Sequence, residues 1–137
     1  MSALRPRRWP ALWVAGWLAA IAAVAALSLL PAADLPPPPF DGVDKLEHFL
    51  GYALLSAYAA MLFARAPLRW AAALALIALG VGLEFAQGAL TASRQADAAD
   101  AVFNALGAVA GQGVARTRLV DALGWIERRV AGRSTRA

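Results

Sequence analysis

Long apolar runs alternate with short polar ones along this chain. An uncharged run extends from Trp9 to Leu30, a second turns apolar after His48 and continues to Ala64, a third covers Trp70 to Leu90, and a weaker fourth covers Ala98 to Ala115. At 1.5 Å per residue, a run of about 20 residues crosses a hydrocarbon core of about 30 Å. The pattern predicts an all-α membrane protein with four transmembrane helices in one bundle, at about 9–30, 44–64, 70–90 and 98–115. Pro31 and the tract Pro36 to Pro39 end the first helix and give a stiff loop without Lys or Arg. The first run is longer than the usual 7 to 15 apolar residues of a signal peptide, which favours a retained anchor over a cleaved leader.

The fourth run is diluted by Asp100, Asn104, Gln112 and three glycines, so charge decides whether it crosses. The N-terminal arm, the Arg65 to Arg69 link and the tail hold every arginine except Arg94. Four crossings put all of those on one side, which the positive-inside rule makes cytoplasmic, with both termini there. The expected location is a cytoplasmic membrane, crossed several times. Beyond the last crossing, Leu119, Leu123, Ile126 and Val130 recur at helical spacing among arginines, with Trp125 beside them. Residues 117–137 therefore read as a basic, amphipathic interfacial helix on the inner leaflet, and residues 1–116 as the transmembrane domain.

Composition narrows the chemistry. With 61% hydrophobic residues, mostly Ala, Leu and Val, the chain suits helices packed in lipid better than a β-sheet core. The formal charge of +4 resembles a nucleic-acid signal until the arginines are located. Flanking apolar runs, they point to anionic lipid as partner and not to nucleic acid. No cysteine is present, which removes disulfides, thiolate metal sites and a cysteine nucleophile.

Four alternating crossings bring the starts of the second and fourth helices and the end of the third to one membrane face. Lys45, His48, Glu84, Gln87, Arg94, Asp97, Asp100 and Asn104 should then share one externally facing layer. An ionised side chain at mid-bilayer costs roughly 2.5 to 3.5 kcal/mol, so such groups face a bundle interior or a watered cavity and mark a site. Glu84, Asp100 and His48 are the candidates for proton transfer, while Arg94, Gln87, Asn104 and Lys45 are candidate ligand-binding groups. Glu84 should find a cation in Arg94 or Lys45, and Asp97 suits the N-cap of the fourth helix. His48, Glu84 and Asp100 together suit an oxygen-rich divalent ion, but no HExxH or comparable spacing accompanies them, so neither a metal nor another cofactor is expected. Gly107 and Gly111, at GxxxG spacing, permit close helix approach and offer a face for self-association.

The segments DKLEHFLGYALL (44–55) and GLEFAQGAL (82–90), followed by Arg94, Asp97, Asp100, Asn104, Gly107 and Gly111 in that order, resemble the VanZ-like family of small bacterial membrane proteins. The resemblance covers about residues 40 to 115. The family's named member is associated with low-level resistance to the glycopeptide teicoplanin, so the resemblance implies envelope biology without supplying a reaction. It singles out His48, Glu84, Gln87, Arg94, Asp100 and Asn104 by position. Two functions stay open. One is a site that binds or processes an anionic envelope component, such as a lipid-linked precursor, a phospholipid headgroup or a peptidoglycan carboxylate. The other is a non-catalytic accessory or assembly protein in which the polar cluster is interhelical hydrogen bonding. Solute transport ranks below both, because the inner halves of the first three runs carry almost no polar residues.

Overall fold

A computed structural model describes residues 2–30, 40, 42–90 and 97–134. Its helices are α1 (Pro10–Ser28), α2 (Val43–Leu62), α3 (Ala66–Leu90), α4 (Ala98–Gly111) and α5 (Ala122–Ser134). Two 3₁₀ turns, Gln112–Arg116 and Arg118–Asp121, join α4 to α5. Among the described residues no strand forms beyond an isolated bridge, Leu4 to Phe63, so the fold is all-helical as the apolar pattern requires.

Local chemistry sets the helix ends. Pro10 occupies the start of α1, where its missing N–H costs nothing. Gly42 precedes α2 at φ 82°, a left-handed conformation that glycine adopts without strain. The Asp97 side chain caps α4 by accepting from the Ala99 N–H at 2.8 Å. The fourth helix leaves α geometry at Gly111, short of the expected Ala115, because Gly111, Gln112 and Gly113 give it little intrinsic support. It continues as a 3₁₀ turn, and its 14 plus 5 residues make a rod of about 31 Å at 1.5 and 2.0 Å per residue.

Length and apolarity alone qualify two helices as membrane spans, Pro10–Ser28 and Ala66–Ala89. This is fewer than the four expected. Asp44, Lys45 and Glu47 interrupt the first turns of α2, and α4 is short.

The tightest packing joins α4 to α2. A Cβ on Gly107 would collide with the Phe49 carbonyl, and one on Gly111 with the Ala53 carbonyl, so the two backbones touch only because these residues are glycine. The glycine face is thus filled by α2 of the same chain, and self-association through it would have to displace that helix. Ser56 Oγ donates to the Ala108 carbonyl, and Gln112 Nε2 donates to Ser56 Oγ at 2.8 Å, closing a buried polar bridge across the seam. Tyr52, Leu55, Leu76 and Ala108 form the core, against which Trp17, Ile21 and Val24 of α1 lean.

Helix α1 buries no residue of its own. Polar ties hold it instead: Trp17 Nε1 donates to the Leu55 carbonyl at 2.9 Å, and the Tyr58 hydroxyl to the Trp13 carbonyl at 3.1 Å. Across the outer surface Leu12, Leu54, Leu74 and Phe85 stand open, the last at 71% exposure.

The tail is not only a surface anchor. Leu119, Trp125, Ile126 and Val130 are exposed, as an interfacial stripe requires, but Leu123, Gly124 and Glu127 turn inward. Glu127 Oε1 accepts from Trp9 N–H at 2.9 Å and from Trp13 Nε1 at 2.8 Å, and Oε2 accepts from Arg8 N–H at 2.9 Å. Arg7 donates to the Val120 carbonyl at 3.2 Å and lies against Gly124. The N-terminal arm and α5 are therefore latched together.

Candidate functional site

The polar residues of three helices converge at the opposite end of α1 from this latch. From its first two turns α2 supplies Lys45 and His48, α3 supplies Glu84 and Gln87 from its last two, and α4 supplies Asp97, Asp100 and Asn104. The close α2/α4 seam is what sets Asn104 and Asp100 against His48.

His48 is the hub. Its Nδ1 lies 2.9 Å from Asn104 Oδ1 and 3.9 Å from Glu84 Oε1, and its Nε2 lies 3.8 Å from Asp100 Oδ2. Because the amide oxygen can only accept, Nδ1 carries the proton toward Asn104 and Nε2 presents a lone pair toward Asp100 in the neutral ring. Asn104 is fully buried and packs on Gly80, where a Cβ would come within 3.0 Å of it. Its position is thereby fixed from two sides.

Lys45 is drawn into the acidic residues of the cluster. Its Nζ lies 3.2 Å from Asp44, 3.4 Å from Asp97 and 3.6 Å from Asp100, so one cation is shared among three carboxylates. The Ala99 N–H, against a smaller opposing effect of burial, holds the Asp97 carboxyl below the usual carboxylate range, and Lys45 adds to the same direction. Glu84 does not pair with Lys45 as expected. It is 5% exposed, and its Oε2 accepts from the Asp97 N–H at 3.3 Å while Oε1 faces the imidazole. Gln87 Nε2 donates to the Ser28 carbonyl at 2.6 Å, tying α3 to the end of α1. Arg94, the expected anion-binding arginine, lies outside the described residues.

A cavity of about 630 Å³ opens beside this cluster, lined among others by Glu47, His48, Tyr52, Gln87, Asp97 and Asp100. Tyr52 is 2% exposed and its hydroxyl has no hydrogen-bond partner among the described residues, whereas Asp100 Oδ1 faces the Lys45 ammonium at 3.6 Å. His48, Glu84 and Asp100 each offer one ligand atom within 4.8 Å of the others, a set able to hold a metal ion. The site thus combines an oriented imidazole, two shielded carboxylates and an adjoining open cavity, which suits proton transfer or cation binding.

Sequence reasoning passed over Tyr52 as a site residue and Ser56 altogether. Tyr52 follows His48 by one helical turn, and that spacing was the available signal. Compared with protein-family models, with curated proteins and with solved structures, the chain finds no match.

Proposed function

We propose that this is a small multi-pass protein of the bacterial inner membrane, of VanZ-like type, whose acid–histidine cavity binds or processes an anionic component of the cell envelope. The carrying observation is the convergence of His48, Glu84 and Asp100, from three different helices, beside a cavity that His48 and Asp100 line. A buried ionisable trio is costly in a purely structural role, and function is the default reading of such groups in a bundle. The membrane setting is supported by α1, apolar on every face yet burying nothing, and by the apolar exterior of α2 and α3. The rod of α4 and its 3₁₀ extension has the length of a fourth pass, and the charges of α2 stay within its first two turns.

On this reading the cavity lies in the outer half of the membrane, where lipid headgroups and lipid-linked precursors reside. Lys45, with Arg94 from the preceding link, supplies positive charge for phosphate or carboxylate, and His48 with Asp100 moves a proton. Lipid-resolved mass spectrometry of the gently purified protein tests this. Wild type should retain one headgroup class that Arg94→Ala and Asp100→Asn lose, whereas identical spectra would discard the binding reading.

The second reading, a non-catalytic accessory of envelope assembly, has its own support in the amides. Gln87 to Ser28, Asn104 to His48 and Gln112 to Ser56 are interhelical hydrogen bonds of the kind that hold bundles together, at about 0.6 kcal/mol each in membranes. If Glu84→Gln, Arg94→Ala and Asp100→Asn all leave the envelope phenotype of the deletion fully complemented, this second reading prevails.

A further inference from the structure

We propose that His48, Glu84 and Asp100 bind a divalent metal ion of the zinc or manganese type beside the cavity that His48 and Asp100 line. Spacing along the chain argued against a metal because no two ligands share a helix. In the fold this objection falls away, since α2, α3 and α4 contribute one donor each and their ligand atoms lie within 4.8 Å of one another. Donors at about 2.1 Å from an ion stand at most about 4.2 Å apart, so side-chain rotations that close the gap by about half an ångström load the site.

Three features favour an ion over a bare acidic cluster. First, the imidazole is prepared as a ligand: Asn104 holds Nδ1, the role that a supporting carbonyl plays behind metal-bound histidines, and leaves Nε2 facing Asp100. Second, the Tyr52 hydroxyl is buried on the wall of the same cavity with no hydrogen-bond partner among the described residues. Orphaned buried polar atoms are rare, and a water on a bound ion would satisfy the hydroxyl. Third, among the described residues Lys45 is shared by Asp44, Asp97 and Asp100, while Glu84 meets the Asp97 N–H and the His48 imidazole. An ion supplies the missing charge. A nitrogen and two carboxylate oxygens suit Zn²⁺ or Mn²⁺ better than Mg²⁺ or Ca²⁺, which favour all-oxygen sites. The three protein donors leave coordination positions open toward the cavity, where a phosphate or carboxylate oxygen of an anionic ligand would complete the shell. In that respect the ion rests on the binding site proposed above, and it explains how an acid-rich wall accepts an anion.

The metal alone, without lipid, tests it. Full-length protein in detergent is stripped with chelator, equilibrated with ZnCl₂ or MnCl₂, and analysed for bound metal and affinity. One ion per chain is expected. His48→Ala and Asp100→Asn should each weaken it by more than the roughly 10- to 100-fold that loss of a supporting group costs. The variant Asp121→Asn, which removes an exposed acid at the far end of the bundle, should bind as wild type does. No stoichiometric ion in wild type, unchanged affinity in Asp100→Asn, or loss in Asp121→Asn would each overturn the proposal. Where a ligand variant fails to fold, electron-spin-echo spectra of Mn²⁺ on wild type decide: a coupled imidazole nitrogen supports the site, and its absence overturns it. Protein that holds the ion but retains no headgroup class keeps the metal site and loses the anion-binding reading, and the reverse result does the opposite.

Discussion

Two buried carboxylates sit near opposite ends of the bundle, Glu127 at 6% exposure and Glu84 at 5%, and their surroundings differ in kind. Glu127 accepts three N–H bonds of 2.8 to 2.9 Å, on both oxygens, with Arg7 close by. Among the described residues Glu84 accepts one backbone N–H, at 3.3 Å, and faces an imidazole at 3.9 Å. A buried charge that is fully hydrogen-bonded holds parts together, whereas one left undersupplied carries a cost that function must justify. Burial alone does not separate a fastener from a site; the donor count does.

The strongest way to break the comparison is to detach one end. Gly111→Leu should drive α4 off α2, because its side chain would strike the Ala53 carbonyl and the Ala57 N–H. Overpacking of backbone against backbone costs about 3 kcal/mol or more, and unfolding by SDS followed by circular dichroism should register it. The Trp13 environment, which depends on the latch, should change less than the site end does.

Next in size is Glu127→Ala, which strands the N–H groups of Arg8, Trp9 and Trp13. Hydrogen bonds to a charged group contribute about 1.5 to 3 kcal/mol, so the tail should undock by roughly 2 to 3 kcal/mol. Limited proteolysis would then cut near α5, with metal or ligand binding at the far end unaltered. Loss of that binding would mean that the two ends are coupled.

Protonation does the same more gently. Burial pushes the Glu127 carboxyl up, but the N–H groups of Arg8, Trp9 and Trp13, with the Arg7 charge, outweigh it and hold the group below the ordinary glutamate value of 4.5. The folded state thus prefers the carboxylate, and its contribution is complete above pH 4.5 and lost as pH falls through the lower folded value. Tryptophan fluorescence should report tail release in that acid window, and Glu127→Gln should abolish the transition.

The contrast also marks what the residue order could tell. The helices and the meeting of Lys45, His48, Glu84, Asp97, Asp100 and Asn104 were legible, because apolar run length and alternation constrain where each polar residue can end up. The latch was not. In sequence Glu127 is one acid in a helix of arginines, and only the fold brings the N-terminal arm over it to supply donors. The trio His48, Glu84 and Asp100 could be named from the sequence but its proximity could not: ligand spacing within one helix is readable, whereas three helices each giving one donor leave no local pattern. Of the two cations expected for Glu84, Lys45 has nearer acids at the start of α4 and in its own turn, and Arg94 lies outside the described residues.

The smallest effect sharpens the comparison most. Glutamine has the shape of glutamate without its charge, so the same exchange at the two sites isolates how well each charge is compensated. At position 127 it leaves one former acceptor as an NH₂ facing N–H donors, and the tail should loosen. At position 84 it removes a charge held by one long hydrogen bond, and its NH₂ or carbonyl can still meet the Asp97 N–H or the imidazole. Glu84→Gln should therefore leave stability in detergent unchanged or raise it by up to about 1 kcal/mol, as replacements of poorly compensated buried charges do. The same variant should lose metal binding, separating stability from function in the manner of a residue kept for its chemistry. A destabilisation equal to that of Glu127→Gln would place both carboxylates in the same structural role, and the distinction between fastener and site would collapse.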